Sequence, residues 1–110
     1  MITKILVVDD EKDLELLIRQ RFRQKIRDQH YEFFFAQNGR LALDELEKTP
    51  DINVVLTDLN MPEMDGITLL TKLSERNYLL KSVVISAYGD LENIRSAMNH
   101  GAFDFLTKPV

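Results

Sequence analysis

Several side chains that could do chemistry follow directly after short apolar runs in this chain of 110 residues. They are three carboxylates, one hydroxyl and one ammonium group: Asp9, Asp10, Asp58, Ser86 and Lys108. Apolar, β-branched runs of this kind predict strands that are buried on both faces, as in a parallel sheet. Because the carboxyl ends of parallel strands meet at one edge, where open α/β sheets bind ligands, we expect these side chains to gather there.

The chemical types of these groups indicate what they could bind. Three carboxylates held close together repel one another at neutral pH unless a cation lies between them or one of them stays protonated. A ligand set of oxygen atoms, without histidine or cysteine, suits Mg²⁺, with Mn²⁺ as the alternative. A lysine and a hydroxyl beside such a metal point to a phosphoryl group, whose oxygens need positive charge and hydrogen-bond donors.

In this interpretation Asp58 is the nucleophile, since an ionised carboxylate can attack phosphorus without a general base. Asp10 would bind the metal directly, and Asp9 would bind it directly or through water. Ser86 and Lys108 would contact the oxygens of the transferred group. For Asp58 alone the alternative remains that it starts a turn or caps the segment that follows, as Asp often does.

The regions between these groups alternate between strand and helix patterns. Strands are predicted at 2–8, 31–36, 54–58, 82–85 and 103–107. Helices are predicted at 12–28, from an Asn38 cap to Thr49-Pro50, at 67–75, and from an Asp90 cap to Gly101. The α/β alternation predicts a doubly wound, five-stranded parallel sheet with right-handed crossovers and helices on both faces.

Apolar spacing assigns the buried faces of the first and last predicted helices. The inward residues are Leu14, Leu17, Ile18, Phe22 and Ile26 in the first helix, and Leu91, Ile94, Ala97 and Met98 in the last. The second half of the first helix carries a basic cluster: Arg19, Arg21, Arg23, Lys25 and Arg27. For this cluster we favour a solvated helix face over a docking patch for an acidic partner.

Composition limits the remaining classes of function. An apolar content of 45% over 110 residues is enough for one domain with a single core, so we expect residues 1–110 to form one domain. The net charge of −4 argues against binding to nucleic acid or an anionic membrane. The sequence has no cysteine and no apolar run near the roughly 20 residues of a membrane span. We therefore expect a soluble, cytoplasmic protein without disulfides or thiolate chemistry.

Four segments of the sequence occur in an order and spacing that resemble one known family. They are Val7-Val8-Asp9-Asp10, Asp58-Leu59-Asn60-Met61-Pro62-Glu63-Met64-Asp65-Gly66, Ser86-Ala87, and Gly101-Ala102-Phe103-Asp104-Phe105-Leu106-Thr107-Lys108-Pro109. The chain resembles the response-regulator receiver domains of two-component signalling, which accept a phosphoryl group from a histidine kinase onto an aspartate. The four segments together cover essentially the whole chain.

The resemblance implies a flavodoxin-like strand order 2-1-3-4-5, with Asp58 as phosphoacceptor and a histidine kinase or histidine phosphotransfer protein as donor. It also implies that the backbone carbonyl of Asn60 joins Asp9, Asp10 and Asp58 as a metal ligand. Further implied roles concern the phosphoryl group and its lifetime: Ser86, Ala87 and Lys108 bind the group, and Asn60 and Tyr88 tune its hydrolysis. The Lys108–Pro109 peptide would be cis.

A conformational switch is also implied, in which Ser86 moves toward the phosphoryl group and Phe105 turns inward into the vacated space. Phe105 stands where a tyrosine is commoner in the family. Without a phenol hydroxyl, burial of this ring rests on apolar packing alone, so its inward and outward states should be less sharply separated.

The sequence stops before the fifth helix with which such domains usually end. We expect apolar surface near the last two strands to be uncovered. The chain should then either self-associate, as a homodimer through the last-strand face, or be less stable than a complete receiver domain. The output domain or partner protein cannot be named from the sequence.

Three other classes of protein are alternatives to this family. A pseudo-receiver would use the same fold only to bind a partner, although Asp10, Asp58, Ser86 and Lys108 are all present. A Mg²⁺-dependent hydrolase of the haloacid-dehalogenase type could use Asp9 and Glu11, but it would leave the Asp58 segment without a role. A flavodoxin is disfavoured because no Ser/Thr/Gly-rich phosphate loop follows the first strand.

Overall fold

A computed structural model of the chain describes residues 2–58, 66–75, 80–86 and 91–107. The elements in these residues are β1 (Thr3–Val8), α1 (Lys12–Arg21), α2 (Arg23–Arg27), β2 (Tyr31–Ala36), α3 (Gly39–Lys48), β3 (Val54–Asp58), α4 (Gly66–Glu75), β4 (Lys81–Ser86), α5 (Leu91–Asn99) and β5 (Asp104–Thr107). All five strands are parallel, in the order β2-β1-β3-β4-β5. The predicted α/β fold and its strand order are therefore confirmed.

The two central strands, β1 and β3, are buried because they are almost wholly apolar. On one face of the sheet Leu6, Val8 and Val55 are 0% exposed and pack against apolar residues of α3 and α4. On the other face Val7 packs in a second cluster that includes Ile18 of α1. Strands held from both sides present their carboxyl ends in a defined arrangement, and the acidic residues stand at those ends.

The helix predicted at 12–28 is divided in the structure, so that prediction is wrong in its extent. The chain leaves helical geometry at Phe22, where ψ is 19°, between α1 and α2. The Phe22 ring packs between Tyr31 and Phe33 of β2, with ring centroids 6.0 and 5.6 Å away. The i,i+4 apolar spacing continues through Phe22, which is why the sequence pattern shows no break.

Three residues predicted to point inward are exposed instead. Leu17 is 60% exposed, Leu91 72% and Met98 39%. The side chains that pack against the sheet follow i,i+4 steps from Leu14 through Ile18 and Phe22 to Ile26, and Leu17 falls beside this stripe. In α5 the buried residues are Ile94 and Ala97. The buried stripe of each helix is thus narrower than its apolar composition suggests.

The predicted Asn38 cap of α3 is confirmed, because its side-chain oxygen accepts a hydrogen bond of 2.9 Å from the Leu41 N–H. The Asn38→Ala variant should lose about 1 kcal/mol of folding free energy, since that N–H is then left without its partner. Urea denaturation measures the change. Asn38→Ser keeps a capping oxygen and should stay close to the wild type, and an equal loss in both variants would contradict the capping role.

Gly101 ends α5 with φ at +103°, as the sequence predicted for a glycine after the last turn. A Cβ at this position would meet no atom within 4 Å, so the penalty for a side chain is backbone strain alone. Gly101→Ala should therefore reduce the free energy of unfolding by about 1–2 kcal/mol. Asn99→Ala, at an exposed position of the same helix, should change it little. Equal unfolding free energies for Gly101→Ala and the wild type would contradict this account.

At the amino-terminal edge of the sheet, Asn53 connects β1 to β4. Its side chain accepts from the Lys4 N–H at 2.9 Å, its own N–H donates to the Lys4 carbonyl at 2.9 Å, and its carbonyl accepts from the Lys81 N–H at 3.1 Å. The Lys4 ammonium also donates to Asp51 at 2.6 Å. This hydrogen bond raises the pKa of Lys4 and lowers the pKa of Asp51. These contacts fix the strands at the end opposite to the acidic residues.

None of the helices in the described ranges has the length and apolar character needed to cross a membrane.

Candidate acidic site at the carboxyl edge of the sheet

The structure brings the three predicted carboxylates together. Asp58 is the last residue of β3, and Asp9 and Asp10 follow directly after β1. These strands are neighbours, with Val8 opposite Thr57, so Asp9 continues β1 beside Asp58. One carboxylate oxygen from each of Asp9, Asp10 and Asp58 lies within 4.8 Å of the others.

Burial differs among the three acids. Asp9 and Asp58 are 7% and 5% exposed, whereas Asp10 is exposed. The cluster therefore has a closed side formed by the sheet and an open side at Asp10. A ligand can enter from the open side while the two buried carboxylates keep their positions.

Local hydrogen bonds hold the two buried acids. The Asp9 side-chain oxygen Oδ1 accepts from the Glu11 N–H at 2.8 Å, which makes a turn directly after β1. The Thr57 hydroxyl is fully buried and donates to the Asp58 carbonyl oxygen at 3.0 Å. These bonds orient the side chain of Asp9 and the backbone of Asp58.

Thr57 was not recognised as part of the site from the sequence. The available signal was its polar side chain at the end of the apolar run Val54-Val55-Leu56. A buried hydroxyl needs a hydrogen-bond partner, so a threonine beside a candidate nucleophile indicates a local positioning bond.

The donor set fits a small, hard divalent cation. It consists of carboxylate oxygens, which Mg²⁺ and Mn²⁺ prefer, and the cluster contains no histidine or cysteine. Mg²⁺ binds oxygens at about 2.0–2.1 Å, so two direct ligands of one ion lie no more than about 4.2 Å apart. Carboxylate oxygens that lie as much as 4.8 Å apart must therefore move slightly closer together, or one of them must bind the ion through water. The prediction that Asp9 binds the metal either directly or through water agrees with this requirement.

The other predicted residues within the described ranges lie on the neighbouring strands. Ser86 is the last residue of β4 and 1% exposed, and it lies one position beyond Ile85, the register partner of Asp58. Phe105 lies on β5 opposite Val84 and is 40% exposed. Ser86 thus shares the carboxyl edge with Asp58, and Phe105 lies on the adjoining edge strand and is partly exposed to solvent.

Four predicted site residues lie outside the described residues. They are Asn60, Ala87, Tyr88 and Lys108. The predicted cis peptide between Lys108 and Pro109 and the predicted Asp90 cap also lie outside them. The roles given to these residues stay predictions.

The chain belongs to the response regulator receiver domain family, whose sequence model matches residues 5–110. It is 35% identical over 107 residues to sporulation initiation phosphotransferase F of Bacillus subtilis, covering 96% of this chain and 82% of that protein. It is 33% identical over 111 residues to chemotaxis protein CheY of Treponema pallidum, covering 97% and 73%. The crystal structure of a response regulator receiver domain protein from Clostridium thermocellum matches with a TM-score of 0.86 at 30% identity, covering 99% of this chain and 84% of that one.

Some relatives are much longer than this chain. It is 37% identical over 109 residues to regulatory protein AtoC of Escherichia coli, covering 98% of this chain but only 22% of that protein.

Receiver domains are regulatory domains of two-component response regulators. They generally use Mg²⁺ and interact with histidine kinases and phosphotransfer proteins, and in homologues they are joined to output domains. The resemblance stated from the sequence is therefore confirmed.

A cation that binds the acidic cluster should stabilise the folded chain. At ten times its dissociation constant, a ligand that binds only the folded state adds about 1.4 kcal/mol, which raises the melting temperature of a domain of this size by roughly 5 °C. We expect this shift with MgCl₂, measured by thermal denaturation against NaCl of equal ionic strength.

Two variants separate binding at the cluster from a general salt effect. Asp10→Asn removes one carboxylate of the cluster and should lose most of the shift. Asp28→Asn changes an exposed acid that precedes β2, at the opposite edge of the sheet, and should keep the shift. An equal shift in both variants would contradict cation binding at the cluster.

Proposed function

We propose that this domain accepts a phosphoryl group on Asp58 from the phosphohistidine of a histidine kinase or a histidine phosphotransfer protein. The observation that supports this most strongly is the position of Asp58, a buried carboxylate at the end of the central strand β3. Two further carboxylates lie within 4.8 Å of it, in a chain that belongs to the receiver family. The domain would act as a regulatory phosphoacceptor that promotes only its own phosphorylation and dephosphorylation.

In the proposed reaction, an Asp58 carboxylate oxygen forms a bond to phosphorus as the bond from phosphorus to the donor nitrogen breaks. The electron pair of that bond leaves with the donor imidazole, which takes up a proton from solvent. Burial by the sheet fixes the direction of attack of the Asp58 carboxylate, so catalysis is mainly positioning. A divalent cation at Asp9, Asp10, Asp58 and the Asn60 carbonyl would offset the negative charge of the phosphoryl oxygens.

The remaining predicted contacts complete the proposal. Ser86, Ala87 and Lys108 donate hydrogen bonds or charge to the phosphoryl oxygens, and Asn60 and Tyr88 control the access of water to the acyl phosphate. A cytoplasmic location and a homodimer through the β5 face also remain predictions. The exposure of Leu106 on β5, at 41%, supports an uncovered face there.

The proposed switch couples Ser86 to Phe105. Ser86 is 1% exposed and Phe105 is 40% exposed, so the serine is buried and the ring is partly in solvent, as the proposed switch requires of its starting state. Displacement of the serine toward the phosphoryl group would then be followed by inward movement of the ring. With no phenol hydroxyl, only apolar contacts favour the inward state of Phe105. The switch therefore depends on Ser86 as its trigger.

The Ser86→Ala variant should still be phosphorylated, at a rate lowered by about fivefold, which corresponds to one hydrogen bond of roughly 1 kcal/mol. It should lose the response of β5. Hydrogen exchange of a peptide covering Asp104–Thr107, with and without phosphodonor, measures that response. Ser86→Thr keeps the hydroxyl and should retain it, and a full response in Ser86→Ala would contradict the switch.

The test of the proposed function is phosphorylation by a small donor. The chain is incubated with acetyl phosphate and Mg²⁺, and its intact mass is measured before and after. We expect one added phosphoryl group per chain. No group should be added when EDTA is present to remove the cation. A chain that gains no phosphoryl group, or that gains it equally with EDTA, would overturn the proposal. In the first case a function limited to partner binding would be favoured.

A further inference from the structure

A pocket of about 200 Å³ lies between the carboxyl-terminal ends of α4 and α5 and the beginning of β4. Ser82, the second residue of β4, lines it, whereas Ser86 at the acidic site is the last residue of the same strand. Four steps along a strand span about 13 Å, so this pocket is separate from the acidic cluster. Its described lining includes three apolar and three polar side chains: Leu70, Leu73, Leu80, Ser74, Ser82 and His100.

Ser82 is the buried polar residue of this pocket. It is 6% exposed, whereas Ser74 and His100 are exposed. Alternate residues of a strand share a face, so the Ser82 side chain lies on the same face of the sheet as that of Val84. Val84 belongs to the apolar cluster formed with α4 and α5, so the Ser82 hydroxyl points toward these two helices and the pocket between their ends.

The Ser82 hydroxyl makes no hydrogen bond to any group in the part of the chain that the structure describes. It is not among the side-chain atoms that are sealed from solvent, so the pocket gives access to it. Buried hydroxyl groups in proteins are nearly always hydrogen-bonded. The missing partner of Ser82 is therefore a molecule that enters the pocket.

The size and chemistry of the pocket limit what that molecule is. A cavity of about 150 Å³ lined by apolar side chains can hold benzene, so this pocket has room for about six or seven non-hydrogen atoms. The described residues that line it include no carboxylate, lysine or arginine, so a charged ligand would lose its hydration without gaining a counter-ion. The pocket therefore suits a small uncharged molecule.

We propose that this pocket binds a small uncharged alcohol or phenol, whose hydroxyl group hydrogen-bonds to Ser82. Its apolar body covers Leu70, Leu73 and Leu80. Water alone would satisfy Ser82 but leave the leucine side chains hydrated, and a hydrocarbon would cover the leucines but leave the serine hydroxyl without a partner. A molecule with both parts displaces the water from the leucines and replaces the hydrogen bond that water made.

Phenol and benzene are matched probes for this proposal, because they share the ring and differ by one hydroxyl group. Each is titrated into the full chain, and the amide chemical shifts are followed by NMR. We expect saturable changes at Leu80, Ser82 and His100 and none at Asp58. Phenol should bind about fivefold more tightly than benzene, the ratio that corresponds to one hydrogen bond.

Two substitutions of Ser82 separate the hydrogen bond from the space. Ser82→Ala removes only the hydroxyl, so the affinity for phenol should fall about fivefold while that for benzene stays unchanged. Ser82→Val fills part of the pocket with methyl groups and should weaken both probes. Ser96→Ala removes a hydroxyl of α5 that is not among the residues lining the pocket, and it should bind both probes as the wild type does.

The other outcomes would overturn the proposal. If phenol gives no saturable change, or changes centred on other residues, the pocket holds water only. Equal losses of phenol and benzene binding in Ser82→Ala show that the hydroxyl does not recognise the ligand. The comparison of phenol with benzene on the wild type needs no substitution, so equal affinities there overturn the proposal even if a variant fails to fold.

Discussion

The Asp58→Asn variant is expected to take up no phosphoryl group from acetyl phosphate and Mg²⁺, under conditions in which the wild type gains one per chain. An amide oxygen is a poor nucleophile, so the substituted side chain could not form the acyl phosphate that a carboxylate forms. Asp9 and Asp10 remain in this variant, so the experiment also shows whether either of them can replace Asp58 as the phosphoacceptor. Intact mass measured over a time course gives the result.

The fold of Asp58→Asn should be intact, because the two side chains have nearly the same shape. Removing one of three neighbouring negative charges should leave the chain at least as stable as the wild type in the absence of a divalent cation. A melting temperature equal to or above that of the wild type would show that the variant is folded, so that unfolding does not explain its failure to be phosphorylated. Phosphoryl uptake at the wild-type rate by Asp58→Asn would contradict the assignment of the nucleophile.

Replacement of Asp10 by asparagine should lower the rate of phosphorylation by on the order of 100-fold at low Mg²⁺, the typical effect of losing one positioned electrostatic contact in an active site. Asp10 is the exposed member of the cluster, so the substitution should not disturb the core. The dependence of the rate on Mg²⁺ concentration should shift to higher concentration, because the cation loses a charged ligand.

Asp13→Asn is the matched control for this effect. It removes the same charge from an exposed position in the first turn of α1, outside the acidic cluster. Its rate and Mg²⁺ dependence should stay within a factor of about two of the wild type, since exposed charges interact weakly over distance. If Asp10→Asn and Asp13→Asn slow the reaction equally, Asp10 has no special role in binding the cation.

The sheet could be predicted almost completely from the sequence because each strand is a short apolar run bounded by polar residues. β2 and β3 begin and end where the pattern predicts, and the other strands differ by one residue at one or both ends. Helix details were less predictable. The interruption at Phe22 depends on ring packing against Tyr31 and Phe33, a tertiary contact that leaves the apolar spacing unchanged.

For the candidate site, the meeting of Asp9, Asp10 and Asp58 could be predicted because each follows or ends a strand and the parallel sheet places those ends together. The separation of their oxygens, and the burial that distinguishes Asp10 from the other two, required the structure. The sequence offered Thr57 only as a polar residue at the end of an apolar run, and the structure was needed to show that its hydroxyl is fully buried and donates to the Asp58 carbonyl.

The measurement that tests the central claim most directly is identification of the phosphorylated residue. Reduction of an aspartyl phosphate with borohydride converts that aspartate to homoserine, which tandem mass spectrometry locates in the chain. We predict homoserine at position 58 after treatment with acetyl phosphate and Mg²⁺, and none in a sample without the donor. Homoserine at position 9 instead would contradict the proposed mechanism and favour the hydrolase-type chemistry in which Asp9 is the nucleophile and Glu11 the second acid.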